Sequence, residues 1–178
     1  MDLKNRAIFL DRDGVINKVL IKKGRPFSPR SVRDFKLTPG IVRVLYCFRR
    51  NGFLNIITTN QPDIARGFLE ENELNKMHAV VKENLPIDAI MVCPHDDRDN
   101  CSCRKPKSGM LFSAADKFNI DLNNSFIIGD NKKDAIAGRN AGCTTIIIDA
   151  KYNKDAEANY RIKRIKEAIG IVLSGRLR

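Results

Sequence analysis

A chain of 178 residues, 43% hydrophobic and 30% charged, can bury one core and has the balance of a soluble globular domain, which excludes a disordered or low-complexity protein. Its formal net charge of +11 points to an anionic partner, whether a phosphorylated metabolite or nucleic acid, or only to solubility. The apolar runs are strand-sized, too short for a helical membrane span, and Ala7 to Leu10 is too short before Asp11 for a secretory signal.

Taken in chain order, RAIFL (6–10) reads as a buried strand that runs into Asp11 and Asp13. GIVRVLYCFRRNG (40–52) has helical periodicity and stops at Gly52. FLNIITT (53–59) is a strand ending at Thr59, Asn60 and Gln61; EENELNKMHAVVKEN (70–84) is a helix; DAIMVC (88–93) is a strand. Ser108 is placed to cap a helix through GMLFSAADKFN. SFIIG (125–129) is a strand leading to Asp130 and Asp134, KKDAIAGRNAG a short helix, and CTTIIID (143–149) a strand. A C-terminal amphipathic helix, about 155–174, is expected from Ile162, Ile165, Ile169 and Val172 at helical spacing. Strands alternating with helices predict an α/β fold, a Rossmann-like parallel sheet with helices on both faces, in one domain over 1–178. In such sheets ligands bind at the carboxyl ends of the strands, and four polar clusters collect there.

Two carboxylates two residues apart, Asp11 and Asp13, can share one pocket, although an acidic turn or a calcium-loop fragment has the same pattern. Asp130 and Asp134 can cap a helix or, with Asp11, offer hard oxygen ligands to magnesium. Cys93, His95, Cys101 and Cys103 lie within eleven residues, directly before Arg104 and Lys105. An odd cysteine count with this clustering reads as metal ligation rather than disulfides; Cys-x-His-x5-Cys-x-Cys supplies four ligands with no open position, the pattern of structural zinc. Cys47 and Cys143 read as core residues. A cytoplasmic location, where thiols stay reduced, is the default expectation. A zinc module that binds nucleic acid would interleave aromatics with its basic residues, and 93–109 contains none.

FLDRDGVIN, TTNQ, CRKP and IIGDNKKD resemble, in order and spacing, the four motifs of haloacid dehalogenase-type phosphatases, from about Ala7 to Asp149. The cysteine knot directly before RKP resembles the zinc-bearing branch of that family. The resemblance implies Asp11 as a nucleophile forming an aspartyl-phosphate, Asp13 as acid and base, and Thr59 and Lys105 holding the phosphoryl group. It implies magnesium held by Asp11, the Asp13 carbonyl and Asp130, with Asp134 supporting. Asn60, Gln61 and Arg104 would meet a small phosphorylated substrate, a sugar phosphate or histidinol phosphate. The zinc loop (93–103) would fix the direction of Arg104 and Lys105. No large cap domain fits, no membrane is involved, and a monomer is expected. Two features depart from the pattern: Pro62–Asp63 after the glutamine, and a longer, more basic segment between Asn17 and Gly40.

Overall fold

The computed structural model describes residues 3–174. The described elements are β1 (Arg6–Leu10), β2 (Leu20–Lys22), β3 (Arg25–Phe27), α1 (Ile41–Arg50), β4 (Phe53–Asn60), α2 (Glu71–Asn84), β5 (Ala89–Cys93) and α3 (Gly109–Phe118). They continue with β6 (Phe126–Gly129), α4 (Lys132–Ala141), β7 (Thr144–Ile148), β8 (Tyr160–Ile162) and α5 (Ala168–Ser174). Six strands form one sheet in the order β5-β4-β1-β6-β7-β8, and every pairing in it is parallel.

Strand alternation divides the core. Ile8 and Leu10 of β1 join Ile41, Val44 and Phe48 of α1, Met77 and Val81 of α2, and Val172 of α5 on one face. Ala7 and Phe9 join Leu111 and Ala114 of α3 and Ala141 of α4 on the other. Helices therefore cover both faces, which is what a sheet of continuous apolar strands requires. After β1 the chain builds outward through β4 and β5, then returns to lay β6, β7 and β8 on the opposite side. The order reverses beside β1, and a crevice opens at such a switch point.

Three short elements differ from expectation. The segment about 155–174 is not one helix: Tyr160–Ile162 pairs with β7 as edge strand β8, a 3₁₀ turn spans Ile165–Glu167, and α5 begins only at Ala168. Ile162, Ile165 and Val172 are buried as expected; three-residue spacing fits the end of a strand followed by helical turns as well as a single helix. The rest of the basic tail, 175–178, lies outside the described residues. Within the basic insertion, β2 and β3 form an antiparallel hairpin with Lys23 and Gly24 at its tip. Ser108 does sit at the start of α3, but its hydroxyl donates to the Ala137 carbonyl (2.7 Å) and stitches α3 to α4 instead of capping.

Candidate active site

The loops leaving β1, β4, β5 and β6 meet over a cleft of about 330 Å³. Asp11, Asp13, Asn60, Arg104, Lys105, Asp130 and Asp134 line it, each from a position predicted from sequence. Thr59 and Gln61 stand behind them, almost wholly buried. Val19, Pro26, Phe27 and Ser28, on and beside the β2–β3 hairpin, complete one wall.

The main-chain N–H of Asp11 donates to the Ile128 carbonyl of β6 (2.9 Å), so the first residue past β1 is still held by the ladder. Gly14 turns the chain at φ +95°, and a Cβ there would lie 1.9 Å from the Asp130 carboxylate, so only glycine lets the two loops approach. At the centre, Lys105 Nζ donates to Asp11 Oδ1 (2.8 Å), the Thr58 carbonyl (2.7 Å) and Asp134 Oδ1 (2.5 Å), using all three of its protons. Burial works against the Lys105 charge, but Asp11 and Asp134 outweigh it and hold its pKa above the ordinary lysine value. Asn60 fixes the lysine's main chain: its amide donates to the Lys105 carbonyl (2.9 Å) and accepts from the Lys105 N–H (3.0 Å). That amide was expected to meet substrate; in this geometry it serves as a latch.

Asp13 is held differently. Arg12, fully buried between the two aspartates, donates to both Asp13 oxygens (2.9–3.2 Å). Asn17 and Gln61 each add a bond at 2.9 Å, and Gln61 also donates to Thr59 Oγ1 (2.8 Å). Burial alone would raise the Asp13 pKa, but the Arg12 charge and these bonds together hold it below the usual value. Gln61, also expected at the substrate, donates its side-chain amide to Asp13 and Thr59.

Asp11 and Asp130 go the other way. Burial pushes Asp11 up, against the pull of Lys105, and neighbouring carboxylates add to it. Burial likewise raises Asp130 to about 7, opposed by a hydrogen bond from Tyr152 and reinforced by Asp134. Oxygens of Asp11, Asp130 and Asp134 all lie within 4.8 Å of one another. Asp134 is occupied by Lys105 and by the Asn131 N–H, which it caps as the third residue of α4 (3.1 Å). Asp11 and Asp130 are thus crowded carboxylates whose charge a small hard cation offsets, a donor set that fits magnesium.

The second cluster closes the loop after β5. Cys93 and Cys101 sulfurs are 3.6 Å apart and Cys101 and Cys103 3.4 Å; His95 Nδ1 lies 3.3 Å from Cys103 and 3.7 Å from Cys93. A tetrahedral ion with ~2.0–2.3 Å bonds spaces its ligand atoms roughly 3.5–3.8 Å apart. These separations, 3.3–3.7 Å, lie close to that spacing, so the donor set fits a zinc ion. Burial raises the Cys93 thiol to about 12. Arg104, just beyond, donates to the Asp97 carboxylate (2.8 Å) and the His95 carbonyl (3.2 Å), and Lys133 from α4 approaches the same Asp97 oxygen (3.9 Å).

Sequence reasoning missed Arg12, Asn17, Lys133, Tyr152 and Asn153. Tyr152 donates to Asp130, and Asn153 donates to the Asp130 carbonyl (2.7 Å) from the loop after β7. Arg12 did leave a signal: a cation flanked by two inward carboxylates must find a partner if it is buried.

Comparison with known proteins agrees with this geometry. Residues 102–169 match the family model described as HAD-hydrolase-like. A D-glycero-alpha-D-manno-heptose-1,7-bisphosphate 7-phosphatase of Campylobacter jejuni is 38% identical over 94% of this chain and 95% of its own. A D-glycero-beta-D-manno-heptose-1,7-bisphosphate 7-phosphatase of Helicobacter pylori is 36% identical over 94% of this chain and 98% of its own. Among solved structures, a D,D-heptose 1,7-bisphosphate phosphatase from B. bronchiseptica, complexed with magnesium and phosphate, superposes with a TM-score of 0.81 at 26% identity, covering 95% of this chain and 98% of that one.

Proposed function

The chain belongs to the haloacid dehalogenase-like phosphatases, among the relatives of the heptose-1,7-bisphosphate 7-phosphatases, and from that premise we propose that it removes the 7-phosphate of D-glycero-D-manno-heptose 1,7-bisphosphate. The observation that carries this reading is the joint lining of one cleft by Asp11, Lys105 and Arg104. One cation sits on the candidate nucleophile, while a second, with a planar fork, lines the same cleft tied to Asp97 and the His95 carbonyl.

In the proposed reaction an Asp11 carboxylate oxygen attacks phosphorus, and the bond to the sugar oxygen breaks as Asp13 supplies a proton. Water then attacks the aspartyl-phosphate, Asp13 takes its proton, phosphate leaves and Asp11 is restored. As drawn by Arg12, Asn17 and Gln61, Asp13 is a carboxylate, the form that the second half requires; serving the first half requires it to leave Arg12. Lys105, its three protons held by Asp11, Thr58 and Asp134, would act on the phosphoryl oxygens through its charge from a dry position, where an oriented charge acts most strongly. Thr59, through Gln61, supports Asp13. Magnesium, held by Asp11 and Asp130 with the Asp13 carbonyl, would offset the repulsion between the carboxylate and an anionic phosphate.

The reading includes zinc at Cys93, His95, Cys101 and Cys103 as a scaffold that aims Arg104 and Lys105, and a single domain over 1–178 acting as a monomer. It assigns the chain to the cytoplasm, where such thiols stay reduced. The test is phosphate release with magnesium from both anomers of the heptose bisphosphate, the corresponding monophosphate and histidinol phosphate. The bisphosphate should be preferred. Arg104→Ala should raise its KM by one charge-assisted contact, about 1.5–3 kcal/mol, and leave the monophosphate nearly unchanged. An equal penalty on both sugars, or preference for histidinol phosphate, counts against the assignment.

A further inference from the structure

Gly14 belongs to the wall of a second and larger cavity, about 700 Å³, between the N-terminus of α1 and the segment leading into α5. Val44, Ile148, Ile165 and Ile169 make its sides aliphatic. Arg43, Lys163, Arg164 and Lys166 also line it, and no acidic residue does. Among the described residues, none of these four cations forms an ion pair: the bridges of the structure run through other arginines and lysines. Glu167, the nearest acid in sequence, bonds the Lys163 main-chain N–H (3.1 Å). Gly40 opens α1 at this rim without a side-chain cap, so the positive end of the helix has the same sign as its surroundings.

We propose that this groove binds a soluble aliphatic anion, an alkyl or acyl body in the groove with a phosphate or carboxylate head among Arg43, Lys163, Arg164 and Lys166. The two halves of the argument are independent. Four like charges around one opening repel one another, and an anion relieves that repulsion at every contact. The walls offer no aromatic face for a base and no side-chain amide to read a polar body; their chemistry matches methylenes. A heptose, polar on all sides, suits the catalytic cleft and not this groove.

The experiment is calorimetric titration of the full chain with decyl phosphate below its micelle concentration, alongside inorganic phosphate, decanol and anionic phospholipid vesicles. One site is expected for decyl phosphate, with much weaker binding of phosphate or decanol alone. Exchanging all four exposed cations for glutamine should weaken binding by at least about tenfold, because the charge-assisted contacts are gone. Asp11→Asn should leave binding unchanged. Methyl chemical shifts of Ile148, Ile165 and Ile169 should move on titration. Unchanged affinity in the four-fold variant, still methyls, or displacement of decyl phosphate by inorganic phosphate in the catalytic cleft would each overturn the proposal. Binding confined to the vesicles would overturn it in favour of a membrane surface.

Discussion

The carboxylate cluster and the thiol cluster both gather potential metal ligands, yet the chain holds them together by opposite means. Asp11 and Asp130 are 119 residues apart and meet because β1 and β6 pair in register, Leu10 beside Ile128. Each also has a partner of its own, Lys105 for one and Tyr152 for the other. Cys93 ends β5, and His95, Cys101 and Cys103 follow on the short loop after it, with side chains that contact chiefly one another. The first cluster inherits its geometry from the core of the sheet. The second is closed by bonds made at its own loop, Arg66 to Asp96, Arg104 to Asp97 and the His95 carbonyl, and Lys107 to Asn100, rather than by sheet register. Chemistry that depends on placement within tenths of an ångström suits the former, and a removable clasp suits the latter.

The sharpest test of that contrast is Asp11→Asn. Turnover should fall by at least about ten-thousandfold, roughly 5 kcal/mol of barrier, while circular dichroism and thermal melting stay near those of the parent. Near-normal activity in the folded variant would remove Asp11 as nucleophile. Lys105→Met attacks the partner instead. It leaves Asp11 and Asp134 buried without their cation, a loss of about 3–5 kcal/mol of stability by analogy with broken buried pairs. Denaturant melts should register it, and an unchanged midpoint would show that the sheet alone holds the carboxylates. Cys103→Ser should reduce copurified zinc from about one per chain to near none, with KM rising about tenfold, ~1.4 kcal/mol, and the Asp11 cluster intact. Elemental analysis and steady-state kinetics read both halves. Loss of magnesium affinity in the same variant would mean that the two clusters are not separately built.

The smallest effect is on pH dependence. His78, on α2, is buried with no partner for its Nε2. Burial, then the Arg12 charge, lowers its pKa from the ordinary 6.5 to about 4. A histidine kept neutral in the folded state and protonated in the unfolded one stabilises above pH 6.5, and that stability is lost as pH falls from 6.5 towards 4. Allowing for solvent screening from the shallow pocket that His78 lines, the loss is on the order of 1 kcal/mol. Melting His78→Gln beside the parent between pH 7.5 and 4.5 should show a flatter profile in the variant. Parallel profiles would mean that burial does not hold the His78 pKa down in the folded protein.

The contrast also explains what the sequence disclosed. Strands β1 and β6 were legible as short apolar runs that are almost wholly buried, and β4, β5 and β7 as β-rich runs alternating with helical segments; the strand-end rule then gathered Asp11, Asp13, Asn60, Lys105 and Asp130 in one cleft. The thiol cluster was legible for the opposite reason, since its ligands are neighbours in the chain. Edge strand β8 was not, because two of its three residues, Tyr160 and Arg161, are exposed and only Ile162 faces the core. The strand-end rule brought Asn60 and Gln61 to the site, but their protein partners were not legible: an amide at a strand end looks the same whether it meets substrate, a main chain as Asn60 does, or side chains as Gln61 does. Tyr152 carried no local signal, because its partner lies 22 residues away across β6 and β7.

That tyrosine has an optical consequence. The chain contains no tryptophan and three tyrosines, and the other two, Tyr46 and Tyr160, are exposed on α1 and β8. Tyr152 alone rests its hydroxyl on Asp130, so an ion drawn to that carboxylate must disturb a phenol in an otherwise quiet ultraviolet spectrum. The protein thus carries a native chromophore beside its proposed magnesium site, and filling of that site can be followed by difference absorbance at equilibrium, without substrate, label or turnover.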